Sequence, residues 1–134
     1  MLGLAITIVG DDDDLLEYLR GVLGVAGYTV HTFNQAGSAY DTLRTNPPDA
    51  VIIGVAFPDC QPGIDLATVL KLRPETRALP IILTSADRAW LRQYTDRLYD
   101  NAIPALWALS QPIDVSVLLP LLAHAIGRLE RAIP

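Results

Sequence analysis

The 134 residues, 51% of them hydrophobic, are enough to bury one core without staples, so a single domain over 1–134 is expected. A formal net charge of −5, with Lys71 as the sole lysine, excludes a basic nucleic-acid footprint or a polybasic membrane face. Cys60 cannot form an intrachain disulfide, and His31 and His124 have no cysteine partners at zinc spacing; a cytoplasmic chain with no cofactor and no metal is the expectation.

Leu4 to Val9 reads as a first strand, with no basic leader before it that would mark a signal peptide. Asp11 to Asp14 then form the turn, cap and acidic first turn of a helix whose broad apolar face is Leu15, Leu16, Leu19, Val22, Leu23 and Ala26, with Gly27 as C-cap. Tyr28 to Phe33 is a second strand. Asn34 is placed to cap a helix through Ala36, Tyr40 and Leu43 that ends at Asn46, before Pro47-Pro48. Ala50 to Val55 has no polar alternation, as expected of a parallel strand covered on both faces, and Gly54 near its end weakens it locally.

After the loop FPDCQPG, Ile64 to Leu72 has helical spacing at Leu66, Val69 and Leu70, and Arg73-Pro74 ends it. Pro80 to Thr84 is a fourth strand. Ala86-Asp87 opens a helix to about Asp100 with Leu91, Thr95 and Leu98 inward, and Ala105 to Leu109 is a fifth strand. From Asp114 the last helix carries Val115, Leu119, Leu122, Ile126, Leu129 and Ile133 on its inner line, with Leu118, Leu121, Ala125 and Ala132 as a second line. Its run from Val117 to Ile126 is too short to span a bilayer. Five strand–helix alternations predict an α/β, doubly wound parallel sheet with right-handed crossovers and a crevice at the carboxyl strand ends, near Gly10, Asp11, Gly54, Ser85 and Gln111.

Carboxylates at a strand end could hold Mg²⁺, but Asp13 and Asp14 are explained by the helix start, which leaves Asp11 as the candidate site acid. The acids lack the spacing of an EF-hand, and there is neither GxGxxG nor a GK[ST] loop, so nucleotide phosphates are not expected there. Ser85 has no histidine and aspartate pair in view to make it a nucleophile.

The whole chain resembles a response-regulator receiver domain of the two-component phosphorelay type. The resemblance rests on ITIV followed by acids and LLEYLR, then GYTVHTF, PDAVII, a proline loop into GIDLATVLK, PIILTSA and QPID. It implies a flavodoxin-like, CheY-like three-layer sandwich with five helices and strand order 2-1-3-4-5. In such domains an aspartate ends the third strand and accepts phosphate. Paired acids after the first strand hold Mg²⁺, a Ser or Thr ends the fourth strand, and a lysine ends the fifth. Here the acceptor position falls on Gly54 and the first acid on Gly10, with Asp11 second and Asp12 beside it. The hydroxyl falls on Ser85, the lysine on Gln111 and the aromatic switch position on Ala108.

The expectation is therefore a non-enzymatic pseudo-receiver with a degenerate phosphorylation site, acting through protein–protein contacts with signalling proteins or its own effector domain. A phosphoreceiver with a non-standard acceptor, Asp49 or Asp59, and a small-ligand sensor at the strand ends are the alternatives. The resemblance also implies a cis Gln111-Pro112 bond and a homodimer or partner face on the fourth helix, fifth strand and fifth helix. Trp90, Tyr94, Ala108, Leu118 and Leu121 are its candidate residues, with extra chain length in FPDCQPG and at Asp100 to Pro104.

Overall fold

A computed structural model describes residues 4–55, 61–100 and 105–132. In chain order the elements are β1 (Ala5–Val9), α1 (Asp13–Val25), β2 (Thr29–Phe33), α2 (Ala36–Thr45), β3 (Ala50–Gly54), α3 (Gln61–Leu72), β4 (Ile81–Ser85), α4 (Arg88–Asp100), β5 (Leu106–Ser110) and α5 (Val115–Ala132). The strands pair in parallel in the order β2-β1-β3-β4-β5, the order expected. Gln111-Pro112 is cis, as the resemblance implied. The expected extra length in FPDCQPG and before Ala105 falls largely on residues 56–60 and 101–104, outside the described residues.

The caps show how local chemistry sets the element ends. Asp12 accepts from the backbone N–H groups of Asp14 and Leu15, satisfying two donors that open α1. At its other end Gly27 adopts φ +103° and Tyr28 N–H reaches back to Leu23 O, so the cap residue is Ala26 and the glycine lies one position beyond it. For α2 the cap position is Gln35, without a side-chain bond, and not Asn34. Helix α3 starts three residues before the expected Ile64, at Gln61. Asp87 and Asp114 cap α4 and α5 through Trp90 N–H and Ser116 N–H.

Side-chain parity along β3 divides the core. Val51, Ile53 and Val55 pack with Ala39 and Leu43 of α2, Leu66 and Leu70 of α3, and Leu91 of α4. Ala50 and Ile52 pack on the opposite face with Leu16, Leu19 and Leu23 of α1 and Leu118, Leu122 and Ile126 of α5. The register between β1 and β3 is fixed at its start by Asp49, whose N–H donates to Ala5 O at 2.8 Å while its Oδ2 accepts from Ala5 N–H at 2.6 Å. A slip of one residue would break that bracket and turn Ile6 and Ile8 out of the core.

Leu118, expected on the second line and as a candidate residue of the contact face, is fully buried. The inner line of α5 is Leu118, Leu122, Ala125 and Ile126, while Leu119 and Leu121 are half-buried. That series follows the i, i+4, i+7 helical repeat when counted from Leu118, whereas the expected line was drawn through Leu119. Leu118→Ala is therefore expected to cost about 3 kcal/mol in denaturant unfolding. Val117→Ala, at a site 47% exposed, is expected to change stability by less than about 0.5 kcal/mol.

Lys71, at the end of α3, is 5% exposed. Its Nζ donates to Arg77 O at 3.0 Å, Leu79 O at 2.7 Å and Ala105 O at 3.1 Å, so all three ammonium protons are used. Burial, with a smaller contribution from the charge of Arg77, pushes its pKa down to about 8. Ala105 takes φ 56°, and its carbonyl also accepts from Ile81 N–H. The lysine thus joins the end of α3, the α3–β4 connection and the entry to β5.

Candidate functional site

The carboxyl ends of β1 and β3 lie level because β1 and β3 are in register through Val9 and Ile53. Gly10, Asp11, Asp12, Leu15, Gly54, Val55, Ala86 and Gln111 line a crevice of roughly 190 Å³ there. Five of the six residues expected at this site, Gly10, Asp11, Asp12, Gly54 and Gln111, are brought together. Gly54 follows the even parity of β3 and faces α1. A Cβ placed on it would lie 3.2 Å from Leu15 Cδ2 and 3.6 Å from Val9 O. A Cβ on Gly10 would lie 3.7 Å from Gly54 Cα, an ordinary contact. Leu15 therefore occupies the room beside position 54, and it was read from the sequence only as part of the inner helix face.

Ser85, the sixth, is fully buried and is not among the residues lining the crevice. Its Oγ accepts from Asp87 N–H at 3.1 Å, and its carbonyl accepts from Gln111 N–H at 2.8 Å. The serine thus supports the start of α4 and ties it to the end of β5. Asp49 sits at the amino end of β3, bonded to Ala5, so the geometry takes it away from the acceptor edge; Asp59 lies outside the described residues. Thr84, paired in register with Gly54, is fully buried with an unpartnered Oγ1. Sequence reading treated it as a strand residue. Thr84→Val removes that hydroxyl at little change in volume, so equal or greater stability, by up to about 1 kcal/mol, is expected in urea melts.

On the α4–β5 side, Trp90 and Tyr94 stack with centroids 5.2 Å apart and planes 13° apart, and both are half-buried against the core. Beside them Arg88, Leu91, Arg92, Ala108 and Ser110 line a groove of roughly 300 Å³ with Ala108 exposed. Leu121 is half-buried on α5 and Val117 is 47% exposed. The arginines were not picked out by sequence.

The family model described as response regulator receiver domain matches residues 6–104. The phosphate regulon transcriptional regulatory protein PhoB of Rhizobium meliloti is 36% identical over 81 residues, covering 60% of this chain and 35% of that protein. The probable transcriptional regulatory protein TcrX of Mycobacterium tuberculosis is 31% identical over 86 residues, 64% of this chain and 36% of that protein. The chain thus spans about a third of the length of these curated relatives. Among solved structures, a sensor protein from Polaromonas sp. JS666 matches with TM-score 0.78 and 27% identity, over 93% of this chain and 97% of that one. A CheY-like receiver domain protein from Methanospirillum hungatei shares the fold, with TM-score 0.77 at 22% identity over 98% and 99% of the two chains.

Proposed function

The chain belongs to the response regulator receiver domain family, and from that membership we propose a two-component signalling module that acts through protein contacts without taking up phosphate. The observation that carries the proposal is Gly54, at the family's acceptor position, with Leu15 packed against the space a side chain would need. Phosphoryl transfer requires an in-line oxygen nucleophile and cationic charge to stabilise the transition state. Glycine offers no nucleophile, and Gln111 cannot supply the charge of a lysine. The donor set also does not fit Mg²⁺. Gly10 has no side-chain ligand, Asp11 is exposed, and one Asp12 oxygen is committed to the α1 cap. Incubation with Mg²⁺ and acetyl phosphate, followed by intact mass measurement, is expected to leave the mass unchanged. A stoichiometric phosphorylated species would overturn the proposal.

Signalling proteins or an effector domain are the partner class, and the face of α4, β5 and α5 is the proposed contact, as homodimer or with a partner. Trp90, Tyr94 and Leu121 supply aromatic and aliphatic anchors of the type that dominate interfaces. Leu118 is withdrawn from that set because it is core. Sedimentation at tens of micromolar is expected to give a dimer that Leu121→Asp dissociates. Among the described residues no helix is long and apolar enough to cross a membrane.

A further inference from the structure

The floor of the crevice at the strand ends is a trough. Gly10 lies beside Gly54, and Gly54 pairs in register with Thr84, so the three follow one another across the sheet and by side-chain parity share the face that bears α1 and α5. Gly10 and Gly54 put no side chain there. Among the described glycines only Gly27 has a positive φ, and a Cβ on Gly10 would make ordinary contacts, so neither backbone strain nor crowding accounts for glycine at position 10. Thr84 is fully buried with its Oγ1 unpartnered, which costs free energy until a hydrogen-bonding group meets it. That hydroxyl stands just behind the crevice wall. Gly54 beside it and Ala86, two residues on along the same face, both line the crevice, and the flexible end of Leu15 lies over Gly54. The mouth has the opposite character. Asp11 is exposed there, Asp12 uses only Oδ1 in the α1 cap, Gln111 brings an amide, and none of the described lining residues is a cation.

We propose that this crevice binds a small primary ammonium compound with an apolar stem and a hydroxyl at its far end, of the size of a four-carbon amino alcohol. The ammonium meets Asp11 and the second Asp12 oxygen, and the stem displaces water from Leu15, Val55 and Ala86. The hydroxyl passes over Gly54, with the end of Leu15 turned aside, and pairs with Thr84 Oγ1. A crevice of roughly 190 Å³ admits such a molecule and is too small for a nucleotide. An anion of the same shape would meet like charge at the mouth. The proposal rests on the phosphate-free reading above, which leaves these strand ends without Mg²⁺ or phosphate, and adds a ligand class to it.

The test uses the full chain, ¹⁵N-labelled and without Mg²⁺ or phosphodonor, titrated with 4-aminobutanol at constant pH and ionic strength. Amide shifts centred on Gly10, Asp11, Gly54, Val55, Ala86 and Gln111 are expected, with weaker binding of butylamine and none of 4-hydroxybutyrate. Asp11→Asn should weaken binding roughly tenfold, and added salt should weaken it as well. Thr84→Val, expected above to keep the fold, should lower the affinity for 4-aminobutanol to that for butylamine and leave butylamine unchanged, a coupling that a merely structural role would not give. Gly10→Val fills the trough and should abolish binding, whereas Leu15→Ala widens it and should strengthen binding. Melting temperature should rise with ligand in the parent and not in Gly10→Val. No shift at tens of millimolar 4-aminobutanol, shifts elsewhere, equal binding of 4-hydroxybutyrate, or equal affinity of Thr84→Val and parent for 4-aminobutanol would each overturn the proposal. The mass assay with acetyl phosphate separates the two readings. Ligand binding by a domain that also takes phosphate would remove the phosphate-free reading and keep the ligand site, and an unchanged mass without ligand binding would do the reverse.

Discussion

Gly54→Asp alone is expected to leave the domain essentially without phosphoryl uptake from acetyl phosphate and Mg²⁺. Combining Gly10→Asp, Gly54→Asp and Gln111→Lys with Leu15→Ala is expected to raise the rate by two orders of magnitude or more, on the order of what single charge-stabilising groups contribute in active sites. The Cβ at position 54 falls 3.2 Å from the flexible end of Leu15, so a carboxylate beyond it needs that side chain moved or shortened. The Cβ at position 10 fits without adjustment. A single new carboxylate joins only Asp11 nearby, too few oxygen ligands for a cation that sheds water reluctantly. The clustered acids of the fourfold variant should repel one another, so it should melt below the parent without Mg²⁺ and recover when Mg²⁺ is added. Intact mass against time and thermal melts with and without the metal would check both parts. Complete labelling of the single Gly54→Asp variant at the fourfold variant's rate would remove this account of the site.

Lys71→Met should destabilise the fold by about 2–4 kcal/mol, a fall in melting temperature on the order of 10 °C. The methionine keeps the aliphatic stem but leaves three carbonyls without the donor they share, one of them on Ala105 in a left-handed conformation. The pH dependence follows from the depressed pKa. Below about 8 both folded and unfolded chains hold the Lys71 proton, and the cost of burying the charge is fully present. Between about 8 and the ordinary value of 10.5 the unfolded chain binds more protons, so stability rises with pH on this account. Tyr28, whose phenol is raised by burial, acts in the opposite sense above its ordinary 10.0, so the comparison belongs between pH 8 and 10. In that window the gap between parent and Lys71→Met should widen in chemical denaturation, and a constant gap would show that Lys71 titrates normally.

The strand order and most of the crevice were legible because strongly patterned segments leave few topologies. The unbroken apolar run at Ala50 to Ile53 requires cover on both faces, and Gly10, Asp11 and Gly54 then meet at one edge. What was not legible depends on the third dimension. The assignment of Leu118 failed because two adjacent stripes of α5 are both leucine-rich, and only packing against β3 and α1 selects between them. Ser85 matched a motif by position, yet its hydroxyl is turned to Asp87 N–H, which no spacing rule gives. Lys71 stands out in the sequence only as the sole lysine, and its carbonyl acceptors are contributed by segments 6, 8 and 34 residues away.

The same lysine bears on covalent labelling. Acylation of an amine needs an open approach to a free electron pair on nitrogen, and the chain's single side-chain ε-amine is enclosed by oxygen atoms of its own backbone. An amine-reactive ester can modify Lys71 only when the lower edge of the sheet opens. Labelling at this one nitrogen would therefore time the local opening of α3 away from β4 and β5, with no competing side-chain amines to subtract.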